Sequence, residues 1–238
     1  LPRRGLDLAG VVGQAGRVRK QVGKGRPRRP GRVVQLDGSL LDEHTAGVEL
    51  QNATRPTIAV ARFAAFAARA LVEHPEYRER IAGEVVSRGT LLENPTAVAF
   101  AQEVRRTSPF VPMLPAFARD TFEWGGQKIR QGQRVLIDVL GTNTDPSGWE
   151  RADSFEPERF LGVEDAEQIE NFIPQGGGDV ATGHRCPGEK IAVTALSVTI
   201  SGLCTPGVEI DPKGLDFSWT QLPTMPGNGA RVRVTRHA

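Results

Sequence analysis

Residues 172–189 read FIPQGGGDVATGHRCPGE, a glycine-rich loop that ends in one cysteine, Cys186, just before a predicted helix. Because glycine has no side chain, such a loop lets backbone amides approach a ligand or a sulfur atom closely. His184 and Arg185 add neighbouring donors and positive charge. The N-terminus of a helix also favours the thiolate form of a nearby cysteine. The sequence therefore predicts that Cys186 ligates a metal.

The pattern of cysteines narrows the kind of metal site. The chain has two cysteines and no C-x-x-C spacing, so a zinc or iron–sulfur site built from cysteines is disfavoured. A single thiolate suits a metal whose other ligands come from a macrocycle. The alternative is that a lone cysteine is a small buried hydrophobe, and this is what we expect of Cys204. His44 and His74 are expected at the surface, without a ligand role.

Two charged motifs precede the cysteine loop. Glu103 and Arg106 are three residues apart on a predicted helix and so share one face. Alone, such a pair is common and contributes only a few tenths of a kcal/mol at a surface. Arg159 lies 53 residues further on, within the sequence PERF at 157–160. It offers a second guanidinium, and a guanidinium can hold a carboxylate through two parallel hydrogen bonds.

Taken in order, ExxR at 103–106, PERF at 157–160 and the loop ending in GHRCPG at 183–188 resemble the cytochrome P450 superfamily. The resemblance extends over residues 33–238. It implies that Cys186 is the axial iron ligand of a haem b group. It also implies a structural triad behind the haem, formed by Glu103, Arg106 and Arg159. The haem loop implied by the resemblance includes Gly183, His184, Arg185 and Gly188.

A narrower resemblance rests on the sequence NATRPT at 52–57 and on the FxPQGGG form of the cysteine loop. Both are similar to the bacterial fatty-acid peroxygenases of the P450 superfamily. This resemblance implies that Arg55 is a catalytic residue that binds the carboxylate of a fatty acid. It places Pro56, Phe110 and Val111 along the substrate channel. The alternatives are a surface or salt-bridged Arg55, and ordinary core packing for Phe110 and Val111.

The pattern of predicted elements is mainly α with a small β part. With the resemblance, it implies the C-terminal, haem-proximal portion of the cytochrome P450 fold. The expected helices are a long one over Leu40–Glu73 kinked at Pro56, a shorter one after Pro75, one from Asn94–Pro95 to about Thr107, and one from about 187 to 202. Short strands are expected at 121–124, 128–130 and 134–140 and in the tail, and a turn-rich stretch over 141–185.

Charge divides the 238 residues unevenly. Residues 1–36 contain ten Lys and Arg against one acid, a local charge of +9, whereas the remainder has 20 Lys and Arg against 27 acids. We therefore predict a basic N-terminal segment, 1–36, followed by part of a P450 domain, 37–238. Residues 23–31 read as loop or disorder. We favour a solvated linker over a nucleic-acid-binding arm because no aromatic residues alternate with the charges.

Further expectations concern length and location. The chain begins with Leu1, which favours a piece of a longer protein. No apolar run reaches the ~18 residues of a membrane span, and no secretory signal is visible. We therefore expect a soluble, cytoplasmic protein.

The expected activity is that of a haem–thiolate oxidoreductase. By resemblance, it hydroxylates long-chain fatty acids at the α or β carbon with hydrogen peroxide as co-substrate. It then needs no redox partner and no nucleic-acid partner. Decarboxylation to a terminal alkene is a related outcome. Two alternatives stay open: a conventional P450 monooxygenase that needs a ferredoxin, and a truncated, non-catalytic remnant that binds no haem.

Overall fold

The computed structural model of the protein describes residues 39–235. Within them the chain is mainly helical, with three small two-stranded sheets, so the predicted fold class is confirmed. The chain falls into two units, one that ends at Thr57 and one that begins at Ile58. The predicted basic segment, 1–36, lies outside the described residues, and its boundary stays a prediction.

The expected long helix over Leu40–Glu73 is two helices in the structure, α1 (Glu43–Thr54) and α2 (Thr57–Glu73). Arg55 and Pro56 form a turn between them. Arg55 keeps helical backbone angles, but Pro56 has no backbone N–H to continue the hydrogen bonds of α1, and its ring crowds the preceding turn. The break therefore falls where the sequence predicted only a kink.

Four helices enclose the main core. Helices α3 (Pro75–Arg88), α4 (Pro95–Thr107) and α6 (Glu189–Leu203) pack with α2, at the places where the sequence predicted helices. Helix α4 is buried along almost its whole length. The fully buried core side chains include Ala67, Leu71, Ile81, Phe100, Val104, Leu196 and Ile200.

Helix α4 begins in an unexpected way. Asn94 occupies the N-cap position, but its side chain makes no capping hydrogen bond. The Glu84 carboxylate of α3 caps the helix instead, accepting from the Thr96 backbone N–H at 3.1 Å. A negative charge is favourable at a helix N-terminus. The Asn94 amide donates to the Ser201 hydroxyl at 3.2 Å and so ties α4 to α6.

The strands form three antiparallel pairs. The predicted strands near 121–140 and in the tail are confirmed, with ends shifted by one or two residues. The pairs are β1 (Met113–Phe117) with β4 (Arg134–Asp138), β2 (Phe122–Trp124) with β3 (Gln127–Ile129), and β5 (Val208–Ile210) with β6 (Val232–Val234).

Strand β1 was not predicted from the sequence. It contains Pro115, which lies opposite Leu136 of β4. Proline cannot donate to a strand ladder, so it argues against a strand unless the strand lies at an edge. In this two-stranded sheet both strands are edges. Large apolar side chains of the sheet stay uncovered, with Phe117 66% and Leu136 55% exposed.

The turn-rich stretch contains short helical segments. They are α5 (Val139–Asn143) and two 3₁₀ turns, Pro157–Phe160 and Ala166–Gln168. Leu140, expected at the end of a strand, therefore lies in α5. A second core of buried residues forms here around Trp149, Phe160 and Phe172. It brings the PERF sequence against helix α4. No helix within residues 39–235 is long and apolar enough to cross a membrane.

Candidate functional site

Cys186 is held through its backbone on both sides. Its N–H donates to the Gln175 carbonyl at 2.9 Å, and its carbonyl accepts from the Glu189 N–H at 3.2 Å, where α6 begins. Its thiol is free of any disulfide, and the residue is only partly buried. The loop therefore presents an accessible sulfur from a fixed backbone.

The glycines of the loop serve a purpose other than the one expected. Gly176 has a φ of +95°, and a Cβ there would lie 2.0 Å from the His184 carbonyl oxygen. A Cβ on Gly183 would lie 2.7 Å from the Asp179 carbonyl oxygen. The loop closes on itself through the His184 N–H, which donates to the Gly177 carbonyl at 3.0 Å. At these positions the missing side chains let the loop pack against its own backbone, rather than against a ligand.

Gly188 is the glycine nearest the thiol. A Cβ at this position would lie 3.8 Å from the Cys186 sulfur, which is ordinary van der Waals contact. The residue therefore leaves one side of the sulfur without a side chain. Of the predicted loop residues, this one bears most directly on access to the thiol.

The two basic residues before the cysteine point in different directions. His184 is exposed. Arg185 is buried and uses its guanidinium inside the protein: Nε donates to the Gly178 carbonyl at 3.1 Å, Nη2 to the Phe172 carbonyl at 3.1 Å, and Nη1 to Glu189 at 3.0 Å. The positive charge of Arg185, which the sequence predicted near a ligand, is therefore paired with Glu189 at the end of the loop.

The structure brings Glu103, Arg106 and Arg159 together. Arg106 holds both carboxylate oxygens of Glu103 at 2.8 Å, and Arg159 Nε reaches the same carboxylate at 3.3 Å. Glu103 and Arg106 are both 0% exposed. Glu103 also accepts from the Glu156 backbone N–H at 2.8 Å. The cluster therefore fastens the segment before PERF to helix α4.

Arg106 extends this cluster into the turn-rich stretch. It donates to the carbonyls of Asn143, Ala152 and Ser154 at 3.1, 2.8 and 2.9 Å. Its guanidinium also lies over the Trp149 ring, 5.2 Å from the ring centroid. A buried guanidinium is costly unless it is paired and its donors are satisfied, and here all of its nitrogen atoms have partners.

The sequence did not predict a second network of buried ion pairs. Arg105 of α4 donates to the Glu189 carboxylate, to the Gln102 side chain and, at 3.0 Å, to the Gln175 side chain. Burial lowers the pKa of the Arg105 guanidinium from its usual range, and the Glu189 charge opposes this shift. The sequence offers one sign of this network: Arg105 is a second arginine, next to Arg106, on a helix with many apolar residues.

The remaining predicted residues make none of the hydrogen bonds described above. Arg55 is exposed and follows helix α1, with its backbone N–H donating to the Gln51 carbonyl at 2.8 Å; Pro56 is exposed in the same turn. Phe110 is partly buried and packs on Phe63, with ring centroids 5.0 Å apart. Val111 is also partly buried. Their predicted roles in substrate binding stay predictions.

The donor set around Cys186 fits a haem better than a bare metal ion. Among the described residues, no three His, Cys, Asp or Glu side chains come together as a metal site. Cys204 is buried, and its burial raises the pKa of its thiol to about 12. Of the two cysteines, Cys186 is therefore the one whose thiol could bind a ligand, and a metal there would have to bring its other donors with it.

An open depression of about 540 Å³ lies beside the loop. Cys186 and Pro187 line it, together with acidic side chains that include Asp165, Glu167 and Glu170. Because its lining is rich in carboxylates, this depression is not the apolar cleft in which a haem or a fatty-acid chain would lie. A haem bound by Cys186 would lie outside it.

With this geometry established, comparison with known proteins identifies the family. The family model for cytochrome P450 matches residues 49–203. The chain belongs to the cytochrome P450 family. Among curated proteins, this P450 is 36% identical over 112 residues to drimenol monooxygenase of Persicaria hydropiper, covering 46% of this chain and 22% of that protein. It is 30% identical over 179 residues to 9-beta-pimara-7,15-diene oxidase of Oryza sativa subsp. japonica, covering 69% and 33%.

Solved structures resemble the P450 over nearly its whole length. Cytochrome P450SP alpha in complex with (R)-ibuprophen is 32% identical with a TM-score of 0.66, covering 96% of this chain and 54% of that one. A variant of cytochrome P450 OleT in complex with arachidonic acid is 30% identical, with a TM-score of 0.67 and coverages of 97% and 55%. Cytochrome P450EX alpha with myristic acid is 32% identical, with a TM-score of 0.66 and coverages of 97% and 56%.

These matches confirm the predicted superfamily and the P450 fold. Haem is the cofactor that the family implies. The narrower resemblance also finds support, because the similar solved structures include P450s that hold fatty acids. The chain spans a third or less of these two curated relatives and just over half of the solved structures. Activity, substrate and partners are therefore treated below as proposals.

Proposed function

We propose that this P450 acts as a haem–thiolate peroxygenase, which hydroxylates long-chain fatty acids at the α or β carbon with hydrogen peroxide. The observation that carries the proposal is the accessible thiol of Cys186, held on a loop that the buried Arg105–Glu189 ion pair fastens to helix α4. In this role Cys186 would bind the haem iron through its thiolate. Glu103, Arg106 and Arg159 hold the structure behind it.

When bound, a haem with a thiolate ligand supplies the iron that activates the peroxide oxygen for transfer to carbon. The protein contributes the position of the sulfur. The backbone contacts of Cys186 with Gln175 and Glu189 limit its movement, and Gly188 places no side chain against the sulfur. Arg185, His184 and Gly183 belong to the same loop.

Arg55 is the proposed anchor of the substrate. A guanidinium binds a carboxylate with two parallel hydrogen bonds and stays charged at any working pH. The bound carboxylate can then take a proton from one oxygen of hydrogen peroxide and return it to the other, which leaves as water. In the net reaction a C–H bond and hydrogen peroxide give an alcohol and water, so that no external electron donor is required.

The choice of a fatty acid is supported by similar solved structures, which hold arachidonic acid and myristic acid. Both ligands carry the carboxylate that an arginine would bind. From the resemblance, Pro56, Phe110 and Val111 are the residues proposed to line the channel for the fatty acid. Oxidative decarboxylation, in which the fatty acid and hydrogen peroxide give a terminal alkene, CO₂ and two water molecules, starts near the same carbon atoms and is an allowed side reaction.

The test is peroxide-driven turnover of myristic acid by haem-loaded protein. We expect Arg55→Ala to lose turnover, with Arg88→Ala, an exposed arginine on α3, as the matched control. The methyl ester of myristic acid lacks the charge and should not react with the parent protein. Full turnover by Arg55→Ala would refute the anchor.

A conventional monooxygenase is the second candidate, because the curated relatives include a monooxygenase and an oxidase. That reaction takes electrons from a partner such as a ferredoxin and oxygen from O₂. The two proposals differ in what they consume. Turnover with a ferredoxin, its reductase and O₂, but none with hydrogen peroxide, would favour the second.

A further inference from the structure

Arg105 is connected to both sides of Cys186. Upstream, its Nε donates at 3.0 Å to the side chain of Gln175, the residue whose carbonyl accepts from the Cys186 N–H. Downstream, its Nη2 donates to the carboxylate of Glu189, the residue whose N–H reaches the Cys186 carbonyl. One guanidinium thus ties the two residues that hold the cysteine backbone.

The connection is rigid as well as direct. Arg105 is 1% exposed and Glu189 2%, so water does not compete for their contacts. Arg185 occupies the other oxygen of Glu189 at 3.0 Å, and the Arg105 guanidinium lies over the Phe172 ring at 5.1 Å. Charge-assisted hydrogen bonds of this kind are the strong ones, and burial strengthens them further.

We propose that Arg105 is a positioning residue for Cys186, which fixes the cysteine loop to helix α4 and so limits the movement of the sulfur that would bind the haem iron. This inference rests on the proposed role of Cys186 as the haem ligand. Residues that orient a metal ligand from behind usually govern how well the metal is held. Arg105 does so through the two residues that contact the cysteine backbone.

The geometry requires an arginine. The three contacts leave Arg105 from three different nitrogen atoms, toward Gln175, Gln102 and Glu189. A lysine offers one ammonium group on a flexible stem and cannot span these acceptors at once. If Arg105 only stabilised the fold, a lysine near Glu189 would replace it in large part. If Arg105 positions the loop, a lysine would not replace it.

The experiment follows the state of the thiolate ligand in the full, haem-loaded chain. The carbon-monoxide difference spectrum of the reduced protein separates a thiolate-type Soret band from the band of a lost or protonated thiol. The variants are Arg105→Met and Arg105→Lys, with Arg88→Met as the matched surface control. Far-UV circular dichroism reports whether each variant is folded.

We expect the parent protein and Arg88→Met to show a stable thiolate-type band. In both Arg105 variants the band should convert to the thiol type about tenfold faster, in line with the effect of residues that orient metal ligands. A full and stable thiolate-type band in Arg105→Met would overturn the inference and leave the proposed function intact. Full rescue by Arg105→Lys would also overturn it, because charge alone would then suffice.

A second variant covers the case in which Arg105→Met does not fold. Gln175→Met removes only the upstream acceptor of Arg105 and leaves the Gln175 carbonyl in place. We expect a faster loss of the thiolate-type band in this variant as well, and an unchanged band would overturn the inference. Failure of the proposed function looks different: the parent protein itself would lack the band, or Cys186→Ala would keep it.

Discussion

Replacing Glu103 by glutamine tests how much the buried cluster on helix α4 contributes to stability. Glu103 accepts from the two nitrogen atoms of Arg106, from the Glu156 backbone and from Arg159. A glutamine that keeps its oxygen at the position of Oε1 retains three of these contacts. Its NH₂ group would then face Arg106 Nε, and the charge that balances two guanidinium groups would be gone.

The size of the effect follows from burial. Glu103 and Arg106 are both 0% exposed, and removing one partner of a buried ion pair costs roughly 3–5 kcal/mol. We therefore expect Glu103→Gln to lower the free energy of unfolding by about 4 kcal/mol. For a chain of this size, that corresponds to a fall in Tm of roughly 8–16 °C.

The matched control is the same substitution at Glu73. Arg69 Nε and Glu73 Oε1 are also 2.8 Å apart, but the Glu73 side chain is 48% exposed. Solvent screens such a pair, so Glu73→Gln should cost no more than about 0.5 kcal/mol. Urea unfolding followed by circular dichroism measures both variants. If the two costs were equal, burial would not be the property that makes the Glu103 cluster strong.

Two further predictions concern the cysteine loop. Gly176→Ala would place a Cβ 2.0 Å from a backbone oxygen at a φ of +95°. We therefore expect urea unfolding to show a free energy of unfolding lower by at least about 2 kcal/mol. Gly202→Ala, the control, lies inside a helix with open space around it and should be neutral or slightly stabilising. Hydrogen bonds from the Ala181 and Thr182 backbone lower the pKa of Asp179 from its ordinary 3.8, so its contribution to stability is present above pH 3.8 and lost as the pH falls through the lowered value. Asp179→Asn should therefore reduce this acid dependence of Tm, and an unchanged acid dependence would contradict the assignment.

The sequence predicted most of the elements because their signals are local. Helix α4 begins at Pro95 and helix α6 begins two residues after Pro187, each within two residues of the expected position. Strand β1 was missed because Pro115 reads as a breaker, although a proline is tolerated at a sheet edge. The capping of α4 by Glu84 was missed for a different reason, since it comes from another helix.

In the candidate site, too, the contacts with local signals were predicted and those that depend on tertiary packing were not. The placement of Glu103 beside Arg106 follows from helical spacing, and their contact with Arg159 agrees with the resemblance. Helical spacing does not predict the partners of Arg105, and an arginine on a helix is usually exposed. Its contacts with Gln175 and Glu189, 70 and 84 residues away, depend on the packing of the whole unit.

The central claim is that Cys186 is the thiolate ligand of a haem. The most direct measurement is the carbon-monoxide difference spectrum of the reduced, haem-loaded protein, compared with Cys186→Ala and with Cys204→Ala as the control at the buried cysteine. Our account predicts a thiolate-type Soret band in the parent protein and in Cys204→Ala, and its loss in Cys186→Ala. A parent protein without this band, or a Cys186→Ala variant that keeps it, would contradict the account.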